Sequence, residues 1–130
     1  MTQQGETPGP TVLMVEGDVM IRLVVAAYLR ECGFKVIEAS SADEAVIVLK
    51  ADGKVAIDVA FVDIDAAGGL DGFGLSQWIR RERAGIKIIL ASGAHRTAKE
   101  AGHLCEHGPT IKKPYDHKDL ERQIRQILAR

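Results

Sequence analysis

The feature that most constrains this chain is the run Val59-Ala60-Phe61-Val62-Asp63, four apolar residues closed by a carboxylate. A strand covered on both faces reads as an unbroken apolar run rather than as an alternation. An acid at its C-terminal end stands on the rim of a sheet, where open α/β folds hold their ligands. Two other segments lead to comparable ends. Thr11-Val12-Leu13-Met14-Val15 runs into Glu16-Gly17-Asp18, and Ile111-Lys112 leads to Lys113-Pro114. Acids, a lysine and a candidate nucleophile at three strand ends point to a phosphate and metal site.

Apolar runs alternate with helical patterns along the whole chain. Strands are expected near residues 11–16, 34–39, 57–63, 86–91 and 109–112, and helices near 18–32, 42–52, 72–84, 95–106 and 117–129. Ile21, Val24, Val25, Tyr28 and Leu29 form the expected buried stripe of the first helix, and Gly33 its C-terminal stop. Ser41 followed by Glu44 is a capping-box signal for the second helix, which Gly53 would end. Asp71 is an N-cap candidate for the third, which carries Phe73, Leu75, Trp78 and Ile79 and closes at Gly85. Leu120, Ile124, Ile127 and Leu128 stripe the last. The 95–106 segment has a thin apolar face, which marks it as the candidate mobile element.

Short strand–helix units imply parallel strands joined by right-handed crossovers, with helices on both faces. Five such units predict an α/β three-layer sandwich of the flavodoxin-like (βα)5 type, strand order 2-1-3-4-5. Its crevice falls between strands 1 and 3, which sets Glu16, Gly17 and Asp18 beside Asp63. At 130 residues the chain suits one domain, here 11–130, after a polar Pro/Gly-rich tail over 1–10 expected to be flexible.

Composition narrows the function classes. A formal net charge of -1 gives no reason to expect direct nucleic-acid binding, and Arg80, Arg81 and Arg83 read as the wet face of a helix. No segment approaches the roughly 18 apolar residues of a membrane span, and no signal pattern opens the chain. Cys32 and Cys105 lack zinc or redox spacing, which suits reduced thiols and a cytoplasmic setting. His103 and His107, with Cys105 between them, have a spacing that can bind zinc, but a solvated helix surface is the commoner use of such a pattern.

Taken together, four motifs in order resemble a response-regulator receiver domain of two-component signalling. An acidic cluster follows strand 1, Asp63 ends strand 3, Ser92 ends strand 4, and Lys113-Pro114 follows strand 5. The stretch Asp71 to Leu75 is similar to that of short stand-alone receivers. The resemblance implies a phosphoacceptor rather than an enzyme with its own substrate. Asp63 would take the phosphoryl group, with Ser92 and Lys113 contacting it. Glu16, Asp63 and the backbone carbonyl of Asp65 would hold Mg2+, with Asp18 as a further candidate. The implied partners are a histidine kinase or histidine phosphotransfer protein, a downstream protein target and a second copy of the chain. With no output domain after Arg130, the readout is expected through protein contacts alone.

The chain departs from the family pattern in three places. Gly17 stands where a second metal-binding acid is expected. The loop from Asp63 to Asp71 is one residue longer than usual, with Ala66-Ala67-Gly68-Gly69 in place of a proline turn. Thr110, three before Lys113, replaces a switching aromatic. The competing reading is therefore a pseudo-receiver, a binding module that works without phosphate. Asp63-Ile64-Asp65 also resembles the Asp-x-Asp of haloacid-dehalogenase-like phosphatases, but theirs lies on the first strand. A flavodoxin is disfavoured by Glu16 and Asp18, whose charge would repel a flavin phosphate.

Overall fold

The computed structural model describes residues 9–51, 56–65, 69–93 and 109–130. Within them lie β1 (Thr11–Val15), α1 (Val19–Glu31), β2 (Lys35–Ala39), α2 (Ala42–Ala51), β3 (Val59–Asp63), α3 (Gly72–Glu82), β4 (Lys87–Ser92), β5 (Thr110–Lys112) and α4 (His117–Leu128). The strands form one parallel sheet in the order β2-β1-β3-β4-β5. This is the flavodoxin-like architecture expected from the alternation. The expected helix over 95–106, with His103, Cys105 and His107, lies outside the described residues, as do residues 1–8 of the tail, Gly53 and the loop residues 66–68.

The sheet's two faces are filled by strand residues of opposite parity. Leu13, Val15, Ala60, Val62, Ile88 and Leu90 pack against Ala45 and Leu49 of α2 and Leu75 and Ile79 of α3. Val12, Met14, Val59, Phe61, Ile89, Ala91 and Ile111 pack against Val25, Ala26 and Leu29 of α1 and Leu120, Ile124 and Ile127 of α4. Successive residues of a strand point to opposite faces, so a central strand buried on both sides must be apolar throughout. The five residues of β1 and of β3 are accordingly all buried.

Helix ends follow their caps. Asp18, Asp71 and Asp116 each accept a backbone N–H of the first turn, from Ile21, Gly74 and Lys118. Ser41 Oγ accepts from Glu44 N as its motif predicts, but the Glu44 carboxylate reaches Ser40 N at 2.7 Å rather than Ser41 N. Gly33, at φ +101°, carries the left-handed turn after α1 that a Cβ would strain.

The expected stripe of α1 needs correcting. Val25, Ala26 and Leu29 are its buried residues, while Val24 is 56% exposed and Ile21 is on the surface with Val19, Met20 and Leu23. Ala26 is small enough to lie flat against the sheet, and this turns the helix so that its N-terminal apolar residues face outward. Of the candidate face on α3, Leu75 and Ile79 are buried, and Phe73 and Trp78 are partly buried against the same core.

Candidate phosphoacceptor site

Parity also builds the site. Glu16 continues the face of Val12 and Met14, Asp63 that of Val59 and Phe61, and Lys113 that of Ile111. All three side chains therefore leave the C-terminal edge of the sheet on the same side. Register aligns the strand ends, pairing Val15 with Val62 and Asp63 with Ala91. Glu16 N donates to Ala39 O at 3.0 Å, Ile64 N to Ala91 O at 3.0 Å and Lys113 N to Ser92 O at 2.7 Å. Backbone hydrogen bonds thus hold the turns that carry the acids and the lysine.

Lys113 Nζ donates to Asp63 Oδ2 at 2.9 Å and stands 3.9 Å from Glu16 Oε2. Asp63 Oδ1 accepts from Asp65 N at 2.9 Å, and Glu16 Oε2 from Asp18 N at 3.0 Å. Glu16, Asp63 and Ser92 are all buried, at 1%, 3% and 5% exposure. The Lys113–Pro114 peptide is cis.

Burial raises the Glu16 carboxyl above its ordinary value. The Asp18 N–H and Lys113 pull it down, while the charge of Asp63 pushes it further up. Burial alone would lower the Lys113 ammonium, but its hydrogen bond to Asp63 and the charges of Asp63, Glu16 and Asp65 outweigh this and raise it. The lysine is thus held charged against two buried acids.

The predicted residues divide into two groups. Glu16, Asp63 and Lys113 converge. Asp65 meets Asp63 through its backbone N–H. Ser92 occupies the neighbouring strand end, but among the described residues the hydrogen bonds to Asp63 come from Lys113 and Asp65. Asp18 is exposed, its side chain turned to cap α1 at Ile21 N. Two residues without a motif belong here as well. Arg22 donates to the Glu16 carbonyl at 2.8 Å, fixing the turn after β1. Tyr115, two residues past Lys113, meets Phe61 edge to face at 5.3 Å, and its buried hydroxyl has no hydrogen-bond partner among the described residues. The only sequence signal for Tyr115 is its nearness to Lys113.

The donors present are hard oxygens, which suit Mg2+ better than zinc. Glu16 Oε1 is buried with no hydrogen-bond partner among the described residues, an acceptor left for a cation or its water. Among the described residues no group of three or more His, Cys, Asp or Glu side chains converges as a metal site. This agrees with Gly17 standing where a further acid is expected. Two carboxylates, a backbone carbonyl and waters still satisfy an ion that usually retains several waters. The donor set therefore fits Mg2+, with one carboxylate fewer than the family pattern.

Beside the site, a groove of about 340 Å³ runs between Met20, Ile21, Val24 and Val25 of α1 and the loop from Lys113 to His117. No helix among the described residues is long and apolar enough to cross a membrane.

A family model described as response regulator receiver domain matches residues 12–125. Among curated proteins, a probable transcriptional regulator, ycf27, of Porphyra purpurea is 29% identical over 121 residues, covering 92% of this chain and 47% of the relative. The transcriptional activator protein PfeR of Pseudomonas aeruginosa is 28% identical over 123 residues, 95% of this chain and 39% of the relative. The chain thus spans about half the length, or less, of these relatives. Among solved structures, a response regulator from Thermotoga maritima superposes with a TM-score of 0.77 at 27% identity, covering 94% of this chain and 99% of that one. A CheY-like receiver domain protein from Methanospirillum hungatei gives 0.81 at 23% identity, covering 93% and 94%, and shows the fold.

Proposed function

Because the chain belongs to the response-regulator receiver family, whose typical work is phosphorylation-dependent signalling, we propose that it accepts a phosphoryl group on Asp63 from a phosphohistidine. The donor is a histidine kinase or a histidine phosphotransfer protein. One observation carries this: Lys113 and the Asp65 N–H each hold one oxygen of a buried strand-end carboxylate. That fixes the nucleophile's direction and places a positive charge where phosphoryl oxygens would arrive.

The step is an in-line displacement. An Asp63 carboxylate oxygen forms a bond to phosphorus as the phosphorus–nitrogen bond breaks. The imidazole nitrogen leaves with the electron pair and is protonated from water. Such transfer depends on positioning and on neutralising the equatorial oxygens. Lys113 supplies a fixed cation, and the Ser92 hydroxyl donates to a phosphoryl oxygen. Receiver domains as a family bind Mg2+ at the phosphorylation site. Here Glu16, Asp63 and the Asp65 carbonyl would hold it, while the Asp18 side chain caps α1. When bound, the ion supplies further neutralisation of phosphoryl charge.

Phosphorylation adds roughly one and a half to two negative charges and strong acceptor oxygens, and draws Ser92 and Lys113 toward them. The readout is altered contact with a downstream protein or with a second copy of the chain. The apolar residues exposed on α1 beside the site suit a protein partner rather than a small substrate. Incubation with acetyl phosphate and Mg2+, followed by intact mass, tests the assignment. The expected result is one added phosphoryl group that Asp63→Asn abolishes. A gain surviving that substitution, or none in the parent chain, overturns it.

A further inference from the structure

Asp43 joins α2 to the loop that leads from the acceptor strand into α3. Its Oδ2 accepts the backbone N–H of Gly69 at 2.8 Å and that of Leu70 at 3.5 Å. The helix end does not need this carboxylate. Ser41 Oγ accepts from Glu44 N, and the Glu44 carboxylate reaches back to Ser40 N. Asp43, in the same first turn, extends across to the loop instead.

The anchor is rigid and the loop is held closely. Ala42, Ala45 and Leu49 bury α2 against the sheet. The helix begins just past the strand end where Glu16 N donates to Ala39 O, so Asp43 stands on the same edge as the acids. On the other side of its bond to Asp43, Leu70 packs against the core, and its Cδ1 fills the space a Cβ on Gly74 would need. Asp71 Oδ1 accepts from Gly74 N at 2.7 Å, and Gly72 lies against the Ile64 backbone. The far end of the loop is therefore fixed residue by residue from Gly69 to Gly72. Its near end is Asp65, whose N–H holds Asp63 Oδ1 at 2.9 Å.

We propose that Asp43 is a positioning residue for the phosphoacceptor. By holding the Gly69 and Leu70 N–H groups it fixes the path of the loop, and with it the Asp65 peptide. The N–H of Asp65 orients the Asp63 carboxylate, and its carbonyl is a candidate cation ligand. The need is particular to this chain. The loop is one residue longer than the family pattern and carries Gly68 and Gly69 where a proline turn is usual. Such a sequence loses more backbone entropy when it is fixed than one stiffened by proline, so an external hydrogen bond supplies the constraint. The inference takes its purpose from the phosphoacceptor reading, while its test stands apart from it.

The test compares the parent chain with Asp43→Ala and Asp43→Asn. Asparagine keeps a side-chain oxygen able to accept from Gly69 N and gives up the charge. Mg2+ alone is titrated by calorimetry, and labelling from acetyl phosphate is followed over a range of Mg2+ concentrations. We expect Asp43→Ala to bind Mg2+ about fivefold more weakly, short of the tenfold or more that follows loss of a group bonded directly to a ligand. Its labelling should be slow at limiting Mg2+ and approach the parental rate at saturation. Asp43→Asn should stay close to the parent in both measurements. Parental Mg2+ affinity in Asp43→Ala overturns the proposal, as does a parent that binds no Mg2+ at tens of millimolar. Equal losses in the two variants also overturn it, since the charge and not the hydrogen bond would then act. If the parent is labelled and Asp43→Ala matches it throughout, this inference fails and the phosphoacceptor reading stands. If the parent is not labelled, while its Mg2+ affinity falls in Asp43→Ala and returns in Asp43→Asn, the positioning role stands and that reading fails.

Discussion

Lys113 Nζ lies 2.9 Å from Asp63 Oδ2 and 3.9 Å from Glu16 Oε2, so a single ammonium answers two buried carboxylates. Two like charges about 4 Å apart repel by roughly 4 kcal/mol at an effective dielectric near 20. Removing the cation leaves that repulsion uncompensated.

Lys113→Met should therefore destabilise the fold at pH 7 by about 2–4 kcal/mol, the usual cost of leaving a buried charge unpaired. The loss should be smaller at pH 5 than at pH 7, because the Glu16 carboxyl, raised by burial, takes up a proton more readily as pH falls. Urea denaturation at both pH values checks this. An equal loss at both would mean that the lysine serves packing and not charge.

Glu16 should show the opposite sign. Burial leads in lifting its carboxyl above 4.5, so between that value and the raised one the folded chain binds the proton better than the unfolded chain. Stability then falls as pH rises through that window, and the charged form remains costly above it. Glu16→Gln should remove this slope, raise stability at pH 7 by about 1 kcal/mol and abolish measurable Mg2+ binding. Thermal melts from pH 4 to 8, beside metal titrations, read both effects. A stability gain without loss of metal affinity would remove Glu16 from the cation site.

Gly17 is exposed, and Gly33 is the glycine with positive φ among the described residues, so the backbone does not demand glycine at 17. Gly17→Asp should supply the missing acid and tighten Mg2+ binding by about tenfold, roughly 1.4 kcal/mol. The acceptor should also label faster from acetyl phosphate at limiting metal. Unchanged affinity in calorimetry would show that Asp18 already fills the place.

Gly72 opens α3 directly against the acceptor strand's end. A Cβ there would collide with Ile64 Cα and stand 3.1 Å from Asp63 O, backbone atoms that cannot swing away. Gly72→Ala should cost about 2–3 kcal/mol by overpacking. It should also slow labelling of Asp63, because relief comes from moving the turn that carries Asp65. Denaturation and labelling rates measured together test the coupling, and a slow but fully stable variant would contradict the steric account.

Much of this was legible because period-2 parity and strand ends are local properties. The runs at 11–15 and 59–63 had to be central strands, and the acids closing them had to reach the same edge. What escaped depends on choices that periodicity does not encode. Ala26 rather than Val24 lies against the sheet, because a helix turns its smallest residue to the closest approach, and several rotations satisfy the same apolar spacing. The second partner of the Ser41 capping signal is Ser40, one residue away from the pattern. Asp18 could be seen to cap or to ligate, and its bond to Ile21 N shows the cap. Tyr115 carries no motif. Its place follows from the turn after β5 and the packing of Phe61, which are long-range facts.

The rotation of α1 leads to the last prediction. It leaves Val19, Met20, Leu23 and Val24 at 51–69% exposure, on the helix that starts beside the acceptor site. Exposed apolar residues contribute little to a fold, so selection for stability does not account for four of them together. If, as proposed, a phosphodonor protein brings its histidine to Asp63, this end of α1 lies beside its approach and offers it an apolar docking face. Met20→Lys combined with Leu23→Glu should change stability by less than about 0.5 kcal/mol, as surface substitutions usually do. Labelling from acetyl phosphate should be unaffected, since a small donor needs no docking face. Transfer from a phosphorylated kinase or phosphotransfer protein should slow at least tenfold, mainly through a raised KM. Equal slowing with both donors would mean that the substitutions disturb Glu16 through the α1 cap, and equal rates with both would place the docking surface elsewhere.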